Sequence, residues 1–96
     1  MKDAKTYQRK VVAFVLSTLK DKRKYSLEYT WAKMDQAKRG YITIEDVRKA
    51  LIELKIFISK IDLASLFNFM DYNQKGRVDF FEFVDFWHQT ASVYDL

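Results

Sequence analysis

One segment of this sequence occurs twice, and this repeat constrains the fold more than any other feature. MDQAKRGYITIED (34–46) aligns with MDYNQKGRVDFFE (70–82) at an offset of 36 residues. Both copies begin with Met-Asp, carry a glycine five residues after the aspartate, and place a β-branched residue two positions after the glycine. A segment with helical apolar spacing precedes each copy and another follows it, so the pattern predicts a helix–loop–helix unit that is present twice.

The composition agrees with a small helical domain. Glycine occurs only at Gly40 and Gly76, inside the two copies of the repeat, and proline and cysteine are absent. So few breakers in 96 residues favour helices, and the two glycines mark positions of special backbone geometry. The absence of cysteine excludes disulfides and thiolate metal sites.

The first and last predicted helices lie outside the repeated loops. Apolar residues at three- and four-residue intervals predict a first helix over about residues 3–20, with one wide apolar stripe and a basic solvent face. The charged run DKRK (21–24) is predicted to be a turn. A last helix is predicted over about residues 80–90, so five helices with short connections are expected.

Helix-start signals divide the middle of the chain into three further helices. Ser26 is a favourable N-cap ahead of an apolar stripe. Thr43 with Asp46 forms a variant capping box, and Ser59 with Asp62 repeats the same signal before the next helix.

Over roughly residues 26–90 these features resemble the EF-hand family. The resemblance implies an all-α fold: an EF-hand pair with a short two-stranded β link, preceded by one N-terminal amphipathic helix. Residues 1–25 would form that helix and the basic turn, and residues 26–96 the paired domain, with loop 1 at 35–46 and loop 2 at 71–82. Ile42 and Val78, at position 8 of the two loops, are expected to form the antiparallel link.

The resemblance also implies where calcium would bind, since an EF-hand loop supplies oxygen ligands from positions 1, 3, 5, 7, 9 and 12. Loop 1 departs from this pattern after Asp35 at position 1. Ala37 and Arg39, at positions 3 and 5, offer no side-chain oxygen, and Asp46 at position 12 is shorter than the usual glutamate. We therefore predict that loop 1 does not bind calcium but keeps the shape of the loop.

Loop 2 supports two interpretations, because Lys75 stands at position 5, where a ligand is expected. In the first, a water molecule replaces the missing ligand and the loop is a weak calcium site. In the second, the Lys75 ammonium takes the place of the ion by pairing with an acid of the loop, and no cofactor is required. The candidate metal ligands are Asp71, Asn73, Arg77 (through its carbonyl), Asp79 and Glu82; the acids available to Lys75 are Asp71, Asp79 and Glu82.

The last helix carries aromatic residues around most of its circumference, more than one core stripe needs. Phe83, Val84 and Trp87 are predicted to enter the core with Phe80 beside them, whereas Phe81 and Phe86 point elsewhere, onto the first helix or into a groove. In one interpretation the first helix folds back over the remaining aromatic surface. In another, an apolar groove binds a helix of a partner protein. The predicted partner-binding residues are Trp31, Met34, Phe67, Met70, Phe81, Phe86 and Trp87.

Several other functions find no support in the sequence. His88 has no second histidine or cysteine with which to bind a transition metal, and no nucleophile or paired base accompanies it, so a helix-end histidine and a non-enzymatic protein are expected. The net charge of +4 comes from the basic residues before Tyr41, which we interpret as a solvated helix face rather than a nucleic-acid site. The apolar run at 11–16 is too short to span a membrane, so no insertion is expected.

The sequence therefore predicts a non-enzymatic module for protein interaction or structural support, in which an apolar groove binds a helical segment of a larger assembly. The absence of cysteine and of a signal-peptide pattern favours a cytoplasmic setting. The resemblance includes light-chain-like subunits and components of cytoskeletal or ciliary assemblies. The alternative is a calcium sensor or regulatory subunit that opens when loop 2 binds the ion. A third hypothesis, binding of nucleic acid or acidic lipid by the basic first half, predicts strongly salt-dependent binding.

Overall fold

A computed structural model describes residues 4–20 and 25–88 of the chain. The predicted turn at 21–24 and the last residues of the final predicted helix lie outside these ranges. Within them the chain is mostly helical, with one small antiparallel sheet. In chain order the elements are α1 (Ala4–Lys20), α2 (Leu27–Met34), β1 (Tyr41–Ile42), α3 (Ile44–Glu53), α4 (Lys60–Met70), β2 (Val78–Asp79) and α5 (Phe80–Trp87).

The predicted caps begin α2, α3 and α4. The Ser26 hydroxyl accepts a backbone N–H in the first turn of α2. Thr43 and Asp46 form a complete capping box at α3, in which each side chain accepts the backbone N–H of the other residue. Ser59 accepts the N–H of Asp62 at the start of α4. Each cap satisfies a backbone donor that has no partner within its helix, and this fixes where the helix begins.

The two helix–loop–helix units are joined through their loops. Strands β1 and β2 are antiparallel, with Ile42 opposite Val78 and Tyr41 opposite Asp79. Ile42 and Val78 are fully buried, so the link also contributes to the core. The predicted paired fold and its β link are therefore confirmed.

Helix α1 packs mainly on α4 and is part of the core. Its apolar stripe includes Val12, Val15, Leu16 and Leu19, all of which are fully buried. Lys20, at the end of α1, donates a hydrogen bond from Nζ to the carbonyl oxygen of Trp87 at 2.6 Å. The first helix therefore folds back over the paired units, as one of the two interpretations of the aromatic surface proposed.

The arrangement of α5 differs from the prediction at Phe86 and Val84. Phe83, Phe86 and Trp87 are buried, whereas Val84 is only half-buried. The prediction that Phe86 points away from the core is wrong, because α4 packs on this side of α5 and brings Phe69 edge-on to the Phe86 ring, at 6.3 Å between centroids. A helix covered by two neighbouring helices buries a wider arc than a single stripe.

The described part of α5 ends earlier than the predicted residue 90. Trp87 is its last residue, and His88 is its exposed C-cap, with a backbone N–H that bonds the Val84 carbonyl at 3.1 Å. This placement agrees with the helix-end role expected for His88. In residues 4–20 and 25–88, no helix has both the length and the apolar character that crossing a membrane requires.

Candidate functional site

The two loops share one backbone conformation although their side chains differ. Lys38 and Gln74, at position 4, both have φ 56°, and Gly40 and Gly76, at position 6, have φ 87° and 85°. Glycine adopts such left-handed conformations without the steric cost that a Cβ imposes. The shape of loop 1 is thus retained without the side-chain oxygens that are missing from it.

The aspartate at position 1 holds the turn in both loops. In loop 2 the Asp71 carboxylate accepts the backbone N–H groups of Lys75 and Gly76, at 3.0 and 2.7 Å. In loop 1 Asp35 accepts the N–H groups of the same two loop positions, at 2.9 and 3.0 Å. Both aspartates are buried. This structural role explains why Asp35 is present in a loop whose metal ligands are otherwise mostly missing.

Lys75 pairs with the glutamate at position 12 of loop 2. Its Nζ lies 2.7 Å from Glu82 Oε2 and 4.0 Å from Asp79 Oδ2. The same Oε2 accepts a hydrogen bond from Asn73 Nδ2 at 3.1 Å. Glu82 is 2% exposed, so the ammonium brings a positive charge directly to a buried carboxylate.

The other oxygen of Glu82 belongs to a capping box that was not predicted from the sequence. Glu82 Oε1 accepts the N–H of Asp79 at 3.0 Å, and Asp79 Oδ1 accepts the N–H of Glu82 at 2.9 Å. An acid followed three residues later by Glu, before an apolar run, is the signal that predicts this arrangement. Glu82 therefore fixes the start of α5 as well as closing the loop.

Loop 1 has the same arrangement with different residues. The Arg39 guanidinium, at position 5, pairs through Nη2 with Oδ2 of Asp46 at position 12. Asp46 Oδ2 also accepts the N–H of Thr43 at 2.9 Å. In each loop, then, a cation at position 5 contacts the carboxylate at position 12.

The free energy that this ion pair contributes differs between the loops, because the two carboxylates are buried to different degrees. The Glu82 side chain is 3% exposed, whereas that of Asp46 is 23% exposed. Transferring an ionised carboxylate from water to a protein interior costs several kcal/mol unless charges and hydrogen bonds compensate it. The Lys75 ammonium, together with the Asn73 and Asp79 donors, supplies that compensation for Glu82.

The donor set of loop 2, as it is arranged, does not fit a calcium ion well. Calcium takes about six to eight oxygen ligands. Position 5 contributes no oxygen, and its ammonium is bound to the carboxylate that would be the bidentate ligand. Within residues 4–20 and 25–88, no three His, Cys, Asp or Glu side chains form a group able to hold a metal.

A tyrosine connects the two loops across the β link. The Tyr41 ring lies 5.0 Å from the guanidinium carbon of Arg39 and 5.0 Å from that of Arg77. Arginine within about 6 Å of an aromatic ring is attracted to its π face. This contact was not predicted, because the register that places Tyr41 opposite Asp79 does not by itself show where the two arginine side chains lie. The Arg77 side chain is thus directed to Tyr41.

A second tyrosine lies at position 2 of loop 2. Tyr72 Oη donates a hydrogen bond to Asp85 Oδ2 at 3.0 Å. This hydrogen bond raises the pKa of Tyr72, and the nearby negative charges of Asp85, Glu82 and Asp79 act in the same direction. The contact joins the start of loop 2 to the exposed side of α5.

The predicted partner-binding residues occupy two different environments. Six of them lie in or against the core: Met34, Phe67, Met70, Phe86 and Trp87 are buried, and Trp31 is half-buried. Trp31 contacts Phe80 and Phe83, each at 5.3 Å between ring centroids. Phe81 is 79% exposed. The structure therefore brings the six together in one core with the apolar side of α1, and leaves Phe81 on the surface.

A family model described as an EF-hand domain pair matches residues 24–87, more than half of the chain. The chain belongs to this EF-hand family. Its matched range includes both loops and all four flanking helices.

One curated relative of this EF-hand chain is Calcium-dependent protein kinase 27 of Arabidopsis thaliana. The two are 26% identical over 83 residues, which cover 86% of the chain. The chain spans only 17% of the length of that relative, so the activity of the whole kinase does not transfer. No solved structure matches the chain at a significant level. EF-hand pairs are typically non-enzymatic modules that commonly bind calcium and protein partners.

Proposed function

We propose that this EF-hand chain is a non-enzymatic module for protein interaction or structural support, and that its loops hold their shape without requiring calcium. The observation that carries the proposal is the contact of 2.7 Å between Lys75 Nζ and the buried Glu82 carboxylate. In this proposal the ammonium performs the charge compensation that a metal ion performs elsewhere in the family. Loop 2 is then at most a weak calcium site. Its ligands would be Asp71, Asn73, the Arg77 carbonyl, Asp79 and Glu82.

The interaction part of the proposal rests on apolar surface. Phe57, on the connection between α3 and α4, is 72% exposed, and Phe81, in α5, is 79% exposed, so each is a candidate contact for a partner. The partner is a helical segment of a protein, bound in a cytoplasmic assembly. The resemblance to light-chain-like, cytoskeletal and ciliary subunits is the support for that setting. Since α1 fills the side where the groove was predicted, the partner binds residues that remain exposed.

A calcium sensor is the second candidate function. Loop 2 retains oxygen-bearing side chains at positions 1, 3, 9 and 12. The plant relative is, by its name, a calcium-dependent kinase. In a sensor, calcium would displace Lys75 from Glu82 and the helices of the second unit would open.

Calcium titration of the unaltered chain tests the proposed function. We expect no stoichiometric binding with a dissociation constant below about 10 μM, the weak end of the range of EF-hand sensors. Calorimetry and tryptophan fluorescence provide the two measurements. One calcium per chain at micromolar affinity, with a change in tryptophan emission, would support the sensor instead.

A second test asks what Glu82 does when metal is absent. In a chelator, Glu82→Gln is expected to lower the free energy of unfolding by about 1–3 kcal/mol, because the buried group loses its charge-assisted bond to Lys75. Urea denaturation measures the change. Glu53→Gln is the matched control, since Glu53 forms an exposed pair with Lys33 at 3.4 Å and is expected to change stability little. If the two variants are equally stable in chelator, Lys75 does not stabilise the metal-free loop.

A further inference from the structure

A concave apolar surface lies where the two helix–loop–helix units meet, on the connection between α3 and α4. A hollow of about 360 Å³ is formed there, and its lining includes the buried side chains of Leu51, Ile56 and Leu63. Ile52 and Phe57 also line it, and they are 47% and 72% exposed. Exposed apolar side chains around a concave apolar floor are typical of a site that another apolar surface covers.

A second hollow adjoins the first and extends this surface to α1. It measures about 310 Å³ and shares Phe57, Ile58 and Ser59 with the first. Phe14 of α1 lines it and is 52% exposed. Phe57 thus stands between the two hollows. We call the two hollows, with Phe14, Ile52 and Phe57, the Phe57 surface.

The charged side chains that line the Phe57 surface are mostly basic. Arg48 and Lys60 line the first hollow, and Lys10 lines the second. Asp62 is the acid among the lining residues of the two, and it accepts a hydrogen bond from Tyr7. Arg48 also pairs with Glu45, which lies outside the lining, at 2.8 Å. The lining itself carries three cations and one acid, so it favours a partner that carries negative charge beside its apolar residues.

The lining residues also indicate the conformation of that partner. They belong to α1, α3, α4 and the α3–α4 connection, so no strand edge is available to pair with an extended segment. A helix satisfies its own backbone hydrogen bonds and needs only side-chain contacts from the surface. A second copy of the chain is disfavoured because the net charge is +4 and the same basic lining would face itself. A flat membrane would leave the floors of the hollows uncovered.

We propose that the Phe57 surface binds an amphipathic acidic helix of a protein partner, with the apolar stripe of that helix covering Phe57 and its acidic flanks facing Arg48 and Lys60. This inference rests on the proposed interaction function and names the surface and the chemistry of the partner. Binding is expected to require no calcium, since Lys75 pairs with Glu82 in the same structure that presents this surface.

Selection from a display library of 20-residue helical peptides tests the surface, with the full chain as bait in a chelator. We expect enrichment of peptides with Asp or Glu flanking an apolar stripe. Selected peptides are then synthesised and their affinities measured against the Phe57→Ala and Phe81→Ala variants. Both positions are largely exposed, and thermal unfolding confirms that each variant is folded. Phe57→Ala is expected to weaken binding at least tenfold and Phe81→Ala less than twofold.

Three results would overturn the proposal that the Phe57 surface binds an acidic helix. The first is the absence of enrichment both in chelator and in calcium, or enrichment of basic peptides. The second is equal weakening by the two substitutions, or weakening by Phe81→Ala alone, which would leave an interaction module that uses another face. The third is Phe57-dependent binding to vesicles of anionic lipid with no peptide binding. By contrast, peptide binding at Phe57 that appears only with calcium would leave the surface in place and contradict the metal-independent function.

Discussion

Lys75→Asp is expected to turn loop 2 into a calcium site. The substitution removes the ammonium that is bound to Glu82 and supplies the missing oxygen at position 5. Removing a cation from the neighbourhood of a divalent ion and adding a carboxylate both favour binding. We expect calcium affinity to rise at least about 100-fold, which is about 2.7 kcal/mol, with one ion bound per chain in calorimetry.

The stability of this variant should depend on calcium. In a chelator, loop 2 would contain four acids and no lysine, so the melting temperature is expected to fall below that of the unaltered chain. Calcium at 100 times its dissociation constant would restore about 2.7 kcal/mol by mass action. A variant with unchanged stability in chelator would indicate that the pair of Lys75 and Glu82 contributes little.

Two matched variants control this experiment. Arg39→Asp makes the same charge change in loop 1 but is not expected to create a site, because Ala37 at position 3 offers no oxygen and Asp46 at position 12 is short. The double variant Lys75→Asp with Glu82→Gln is expected to lose the gained affinity. If Arg39→Asp binds calcium as well as Lys75→Asp does, the added negative charge rather than a completed ligand set is responsible.

Leu16→Ala is expected to destabilise the whole domain. Leu16 is fully buried in the core that α1 shares with the paired units. Replacing a buried leucine with alanine typically costs about 2–5 kcal/mol through lost burial and the remaining cavity. That is a large fraction of the 5–15 kcal/mol that stabilises a typical domain. Urea denaturation measures the loss, with an unchanged slope if unfolding stays two-state.

Phe14→Ala is the control for this prediction, since Phe14 lies on the same helix but is 52% exposed. It is expected to change the free energy of unfolding by about 0.5 kcal/mol or less. Hydrogen exchange gives a second readout. If Leu16→Ala exposes only the amides of α1 and leaves the paired units as stable as before, α1 is a detachable cover over an open groove and not a part of the core.

The repeat made much of the fold predictable from the sequence. The shape of each loop follows from its glycine, Gly40 or Gly76, because the left-handed backbone conformation at that position is a local property of the chain. Helix starts follow from caps such as Thr43 with Asp46, in which both partners lie within one turn. The β link follows once the two loops are aligned, because the register is then fixed at Ile42 and Val78.

Contacts between distant parts of the chain were less predictable. The apolar spacing places Phe86 among the aromatic residues of α5 but does not show that α4 covers that side of the helix. The burial of Phe86 therefore depends on tertiary packing. The sequence did not show which of the three acids of loop 2 pairs with Lys75. The structure shows which acid is paired: Lys75 Nζ lies 2.7 Å from Glu82 Oε2 and 4.0 Å from Asp79 Oδ2, whereas Asp71 accepts the backbone N–H groups of the loop.

The position of α1 in the chain has a consequence for folding during synthesis. Its partners come much later: Tyr7 bonds Asp62, 55 residues on, and Lys20 bonds Trp87, 67 residues on. Contacts of such large sequence separation form slowly and only after the intervening chain exists. The apolar stripe of α1 therefore leaves the ribosome long before the helices that cover it. During that interval it is the part of the nascent chain most open to chaperones and to aggregation.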